Sequence, residues 1–200
     1  MSILFVAAVV AAYLIGAIPF GLLFARLLTG KDPRQHGSGN IGATNAMRTG
    51  GKKVGALTLL ADILKGTIPV AIAIALDSDE QLIAAVALAA FIGHIFPVYL
   101  GFKGGKGVAT MFGVVLPWLP WVAVGAFAVW FISFKLTRYV SLASILAGVS
   151  LPLFSLLLQA SWSAFGICMI LGGLMILRHK SNIQRLIAGD EPKADKKADG

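Results

Sequence analysis

Phe102-Lys103-Gly104-Gly105-Lys106-Gly107 sets two lysines and three glycines into six positions between long uncharged stretches. Glycine lets the backbone come close to a ligand. Successive bared amides form a concavity that binds anions, and lysine adds charge beside it. The chemistry on offer is phosphate binding. A Walker A loop requires GxxxxGK[ST]; here Gly101 to Gly105 is one residue short and Gly107 follows Lys106. ATP hydrolysis is therefore disfavoured. The plain alternative is a flexible loop with two lysines reaching for water.

Two more segments are rich in hydrogen-bond donors and poor in acids. One is Gly37-Ser38-Gly39-Asn40-Ile41-Gly42-Ala43-Thr44-Asn45-Ala46-Met47-Arg48. The other runs Arg178-His179-Lys180-Ser181-Asn182-Ile183-Gln184-Arg185 and on to Gly189-Asp190-Glu191. Gly37, Gly39 and Gly42 formally match GxGxxG. A dinucleotide site needs a preceding strand and a βαβ unit, whereas this segment follows an apolar helix. Ser38 is expected to cap a short helix that begins near Asn40. Such a helix would aim free N–H groups at an anion, with Arg48 about two turns on. A turn-rich connector with a solvated arginine is the competing reading.

Asp62 and Lys65 are three apart and share a helix face. They lie about 12–16 Å along a span that begins at Val54. Ionisable residues at such depth pair and face a cavity. Either they form an ion pair that packs helices, or Lys65 floors the anion site with Asp62 orienting it. His94 reads first as a packing or capping histidine. His179 stands among polar residues and is better placed for proton or phosphate chemistry. No cluster has the ligand count of a metal site, no cofactor is implied, and the lone Cys168 excludes a disulfide framework.

The elements that must position these clusters are apolar. Hydrophobic residues make up 58% of the 200 positions and charged residues 13%, which indicates a polytopic membrane protein. Uncharged stretches cover 3–25, 81–102, 107–134 and 139–177, and 54–76 is broken only by Asp62 and Lys65. The apolar N-terminus lacks a basic region and reads as a retained first span. The net charge of +8 sits at span ends, which argues against nucleic acid. Lys and Arg collect on the cytoplasmic side. With the N-terminus outside, spans at 3–26, 54–76, 81–101, 107–116, 120–135, 139–158 and 162–178 leave no Lys or Arg outside. Pro117-Trp118-Leu119-Pro120-Trp121 divides the fourth span from the fifth. The expected fold is all-α: seven transmembrane helices, N-terminus outside, C-terminus cytoplasmic, with one short helix after the glycine-rich loop. That helix covers about 15 Å, half a bilayer core. Five helices, one of them long, is the alternative. Residues 1–189 form a single membrane domain and 190–200 a disordered cytoplasmic tail.

These three clusters, in this order, resemble the bacterial family of acyl-phosphate:glycerol-3-phosphate acyltransferases. The matching stretches are 37–45 with Arg48, Gly93-His94-Ile95-Phe96-Pro97-Val98 with 102–110, and His179 with Asn182-Ile183, Arg185-Leu186, Gly189 and Glu191. The resemblance covers about residues 1–191. It implies a seven-helix enzyme of the bacterial inner membrane. That enzyme moves a fatty acyl group from acyl phosphate to the 1-hydroxyl of sn-glycerol 3-phosphate. Lysophosphatidic acid and phosphate result, in the first acylation of phospholipid synthesis. It implies catalytic or substrate-contacting roles for Ser38 and Arg48, an acyl-phosphate site at 104–107, active-site roles for His179 and Asn182, and an integrity role for Glu191. The HxxxxD dyad of other glycerolipid acyltransferases is absent: five residues after His36, His94 and His179 stand Ile41, Tyr99 and Gln184.

On this reading Lys106 and the 104–107 amides serve the donor phosphate and the oxyanion. Arg48, Ser38, Lys65 and Asn182 form a second phosphate site. Gly37, Gly39, Asn40, Thr44, Asn45, Lys103 and Arg185 are further phosphate-binding candidates, and Asp62, His94 and Glu191 have proton or structural roles. The base is His179, His94 or a substrate phosphate. Partners are glycerol 3-phosphate, fatty acyl phosphate and membrane lipid; no protein partner is apparent. A transporter with broken helices around an anion site is the rival class, but no internal repeat supports it. An alcohol phosphotransferase would need an acidic metal-binding pattern, and Asp62 is the only acid within a span.

Overall fold

The computed structural model describes residues 2–194, and all regular structure among them is helical, with no strand. Five helices are long and apolar enough to cross a membrane: Ile3–Thr29 taken as one, Lys52–Ala75, Glu80–Leu100, Pro120–Thr137 and Val140–Leu157. Trp162–Arg178 and Lys180–Ala188, bent by 57°, pass together as a sixth, and Val108–Trp118 is apolar but short. Phe127, Ile132, Leu153 and Leu157 stand exposed along these helices. So many apolar side chains at the surface suit lipid, not water. The chain divides into two compact units, 1–118 and 119–200.

The first unit holds α1 (Ile3–Ala17), α2 (Phe20–Thr29), α3 (Ala43–Gly50), α4 (Lys52–Ala75), α5 (Glu80–Ile95) and α6 (Val108–Trp118). Small residues let its helices touch backbone to backbone, as lipid-embedded helices do. Gly16 lies on the Ala90 carbonyl and Gly93 on that of Tyr13, which joins α1 to α5. Gly66 and Gly113 join α4 to α6, lying on the carbonyls of Thr110 and Ile63. Two hydroxyls reinforce that seam: Thr110 donates to the Asp62 carbonyl at 3.0 Å, and Thr67 to that of Gly113 at 2.9 Å.

The first span, Ile3–Thr29, holds two helices rather than one, because the helix breaks at Ile18-Pro19. Pro19 disfavours helical geometry in the residue before it, and Ile18 is extended, with φ −60° and ψ 119°. The break exposes the Ile18 carbonyl to a partner outside the helix.

The second unit holds α7 (Pro120–Thr137), α8 (Val140–Leu157), α9 (Trp162–Arg178) and α10 (Lys180–Ala188). α8 packs between α7 and α9, and α10 touches α8 and α9. Proline suits a first helical turn because its missing N–H is not needed there, so Pro120 opens α7 after Leu119 leaves helical geometry. Trp121 and Trp162 stand exposed in the first turns of α7 and α9, while Lys135 and Arg178 close them.

Candidate functional site

In the first unit the segment after α2 is fixed by two buried polar side chains. Asp32 accepts from Arg26 and Arg34 at 2.7 Å each. The hydrogen bond from Arg34 holds its carboxyl well below the usual range, against the opposing effect of burial. Nothing in the sequence reading singled out Asp32; the signal was its Asp-Pro-Arg turn five residues past Arg26-Leu27. Asn45 is the second. Its Nδ2 donates to the carbonyls of Pro33, His36 and Asn40, and its Oδ1 accepts from the Ser38 amide at 2.9 Å. Asn45 thus spends its amide on shaping the loop. Gly37 has a φ of +59° and lies so close to Asn45 that a side chain would collide with it.

α3 begins at Ala43, not near Asn40, and its N-cap is Gly42, whose amide donates to Asn40 Oδ1 at 3.0 Å. Ser38 therefore does not cap it; its amide is tied to Asn45 while the residue stays exposed. Gly39 makes a second left-handed turn, with φ +69°. Thr44 lies in the first turn of α3, and Arg48, half-buried, in the last. Arg48 meets no carboxylate among the described residues, so its charge is available to an anion.

The glycine loop packs on the end of α5. Gly105 N–H donates to the His94 carbonyl at 3.2 Å. A side chain at Gly104 would strike the His94 and Ile95 carbonyls, one at Gly105 the His94 ring, and one at Gly107 the Phe91 ring. Gly107 also has a φ of +88°. Glycine is required at these positions for close approach alone, before any ligand is considered. α6 starts directly after, at Val108. Lys103 is exposed and Lys106 half-buried.

Beneath the loop lies the ion pair. Lys65 Nζ is 2.8 Å from Asp62 Oδ1, both side chains almost wholly buried. The ammonium also donates to the Ile18 carbonyl at 2.9 Å and lies 5.9 Å over the Phe20 ring. His94 Nδ1 is 3.7 Å from the same Asp62 oxygen. Lys65 thus has its charge balanced inside the unit, the arrangement of a helix-packing pair.

In the second unit His179 ends α9 and precedes α10. Its Nδ1 donates to the Met175 carbonyl at 2.8 Å. That bond fixes the tautomer and leaves Nε2 as the basic nitrogen of the neutral ring. One turn on, Asn182 donates to Glu191 Oε1 at 2.6 Å and Arg185 to Oε2 at 2.7 Å. Burial opposes the charge on Glu191, but the hydrogen bonds from Asn182 and Arg185 hold the carboxyl below its usual range. The tail expected to be disordered, 190–200, thus starts with an anchored residue; 195–200 lie outside the described residues. The structure brings Asp62, Lys65, His94 and Gly105 together in one unit, and His179, Asn182, Arg185 and Glu191 together in the other.

Residues 6–189 match the family model described as glycerol-3-phosphate acyltransferase. The chain belongs to that family. A glycerol-3-phosphate acyltransferase of Syntrophotalea carbinolica is 50% identical, aligned over 90% of this chain and 93% of its own. The crystal structure of PlsY (YgiH), an integral membrane glycerol 3-phosphate acyltransferase, superposes in its glycerol 3-phosphate form with a TM-score of 0.91 at 45% identity, covering 94% of each chain. Its lysophosphatidic acid form gives 0.88 at 43%, again over 94% of each. A member of this family is an acyltransferase of phospholipid synthesis and a multi-pass membrane protein. The resemblance drawn from three short segments holds over nearly the whole chain.

Proposed function

We propose that this chain transfers a fatty acyl group from acyl phosphate to the 1-hydroxyl of glycerol 3-phosphate. The hydroxyl oxygen bonds to the acyl carbon, the bond from that carbon to the phosphate oxygen breaks, and the hydroxyl proton passes to a base. The products are lysophosphatidic acid and inorganic phosphate. The observation that carries this reading is the glycine loop, packed against the end of α5, with α6 starting directly after Gly107 and Lys106 beside it. Acyl phosphate is already activated, so the protein's task is to hold anions and stabilise developing charge. Lys106 and the 104–107 amides would take the donor phosphate. Arg48 and Ser38 would take the acceptor phosphate through charge-assisted bonds. His179, with Nε2 basic, is the side-chain base to set against a substrate phosphate. Seven spans, the N-terminus outside and chemistry on the cytoplasmic side of a bacterial inner membrane complete the proposal.

Purified protein should convert palmitoyl phosphate and glycerol 3-phosphate to lysolipid and phosphate in equal amounts. Phosphate without lysolipid, or no turnover, overturns the assignment. Lys106→Ala should lower kcat/KM about 10²–10³-fold, the range for losing one such donor, while the protein stays folded in detergent. His179→Ala should lower kcat by more than about tenfold if the ring is the base. A smaller loss of kcat in both His179→Ala and His94→Ala assigns the proton to a substrate phosphate.

A further inference from the structure

One end of the glycine loop lies against His94, whose ring stands beside a buried ion pair, and the helix at the other end bonds the backbone of the same α4 turn. The Gly105 amide donates to the His94 carbonyl, and the His94 ring lies against the Gly105 backbone. That ring stands 3.7 Å from Asp62 Oδ1, the oxygen that takes Lys65 at 2.8 Å. Lys65 reaches on to the Ile18 carbonyl at the break between α1 and α2, at 2.9 Å. Where the loop leaves into α6, the Thr110 hydroxyl donates to the Asp62 carbonyl at 3.0 Å. So α5, which enters the loop, and α6, which leaves it, both register against one turn of α4.

A buried ion pair is weak support for stability, because apolar residues of similar size would serve as well. It does tolerate few geometries. Amides that bind an anion must be held in place by a supporting shell before the anion arrives. We propose that Asp62, Lys65 and His94 are positioning residues that fix the register of loop 103–107, and through it the affinity for the donor phosphate, without touching either substrate. This rests on the reading that the loop takes acyl phosphate. If the trio only packs helices, its variants lose stability while the folded fraction keeps an ordered loop.

The test uses full-length protein in lipid nanodiscs with His94→Ala, His94→Gln and the neutral pair Asp62→Asn with Lys65→Met. Amide hydrogen exchange is read at 103–107, and KM for palmitoyl phosphate and for glycerol 3-phosphate. His94→Ala and the neutral pair should exchange about tenfold faster or more at 103–107, with α9 unchanged. KM for palmitoyl phosphate should rise about tenfold while that for glycerol 3-phosphate stays within about threefold. His94→Gln, which refills the space, should recover most of that loss. Unchanged loop exchange, or both KM values rising together, overturns the proposal. Should a variant not fold, Thr110→Val removes the α6 tie to the Asp62 carbonyl while leaving residues 103–107 unchanged, and it is read the same way. Wild-type protein that fails to turn over palmitoyl phosphate sinks the functional reading alone, and loop exchange still decides the positioning role.

Discussion

Glu191 shows how one side chain can hold a corner of the candidate machinery. Its two oxygens take Asn182 and Arg185, and its carboxyl is held below the ordinary value of 4.5. The folded chain thus favours the charged form. The stability this adds is complete above the ordinary value and is lost as pH falls through the lowered one. Thermal unfolding in detergent should therefore show wild type losing its advantage over Glu191→Gln as pH falls below about 5. A gap that stays constant through that fall rules out the ionised Glu191 as its source. Glu191→Ala at neutral pH should cost about 1–3 kcal/mol, because the buried Asn182 amide loses its acceptor. The chemistry-bearing types at this corner were readable as a donor-rich run. That Glu191 turns back onto Asn182 was not, since it depends on the left-handed turn at Gly189, φ +79°. Asn45 shows the same limit: its residue type suggests a ligand contact, while its surroundings employ it as a brace.

Helices were legible where the sequence is uniformly apolar, because a chain in lipid must satisfy its backbone within each segment. Pro120 marked the start of α7 correctly, and the 39-residue stretch read as two helices resolves into α8 and α9. Breaks inside helices were harder to read. Pro69, Pro117 and Pro152 all lie within helices, whereas Pro19 ends one. Only at Pro19 does the freed carbonyl before it find a buried cation, and that pairing is tertiary. Glycines divide the same way, by what faces them. Gly113 lies on the Ile63 carbonyl at the seam between α4 and α6, while Gly166 and Gly173 have open space. Gly113→Val should lower the stability of the folded protein by about 1–3 kcal/mol or more through overpacking. Gly166→Ala should be neutral or gain up to about 1 kcal/mol from helix propensity. Thermal unfolding of both variants checks this, and equal effects would refute the seam as a close-packed contact.

Charge and aromatic placement carry the proposed orientation in the bilayer. In the second unit α7 and α9 start at exposed tryptophans and end at Lys135 and Arg178. In the first, α4 starts at Lys52 and Lys53, and the turn into α5 carries Asp77, Asp79 and Glu80. Tryptophan favours the interface and basic residues the cytoplasmic side, so α4, α7 and α9 each have one basic end. α6 decides the span count. Its 11 residues cover about 16 Å, roughly half of a bilayer core. If α6 and α7 are separate passes, Lys135 lies on the cytoplasmic side. If 107–134 crosses once, Lys135 lies outside. Cys168 is buried and should not compete for label, so single cysteines at Ser78 and Lys135 can be read with a membrane-impermeant maleimide. Intact cells should label Ser78→Cys, and Lys135→Cys only after permeabilisation. Labelling of Lys135→Cys in intact cells would remove the seven-span arrangement. It would also set the glycine loop against the basic-side rule, because Lys103, Lys106 and Lys135 could not then share the cytoplasmic face.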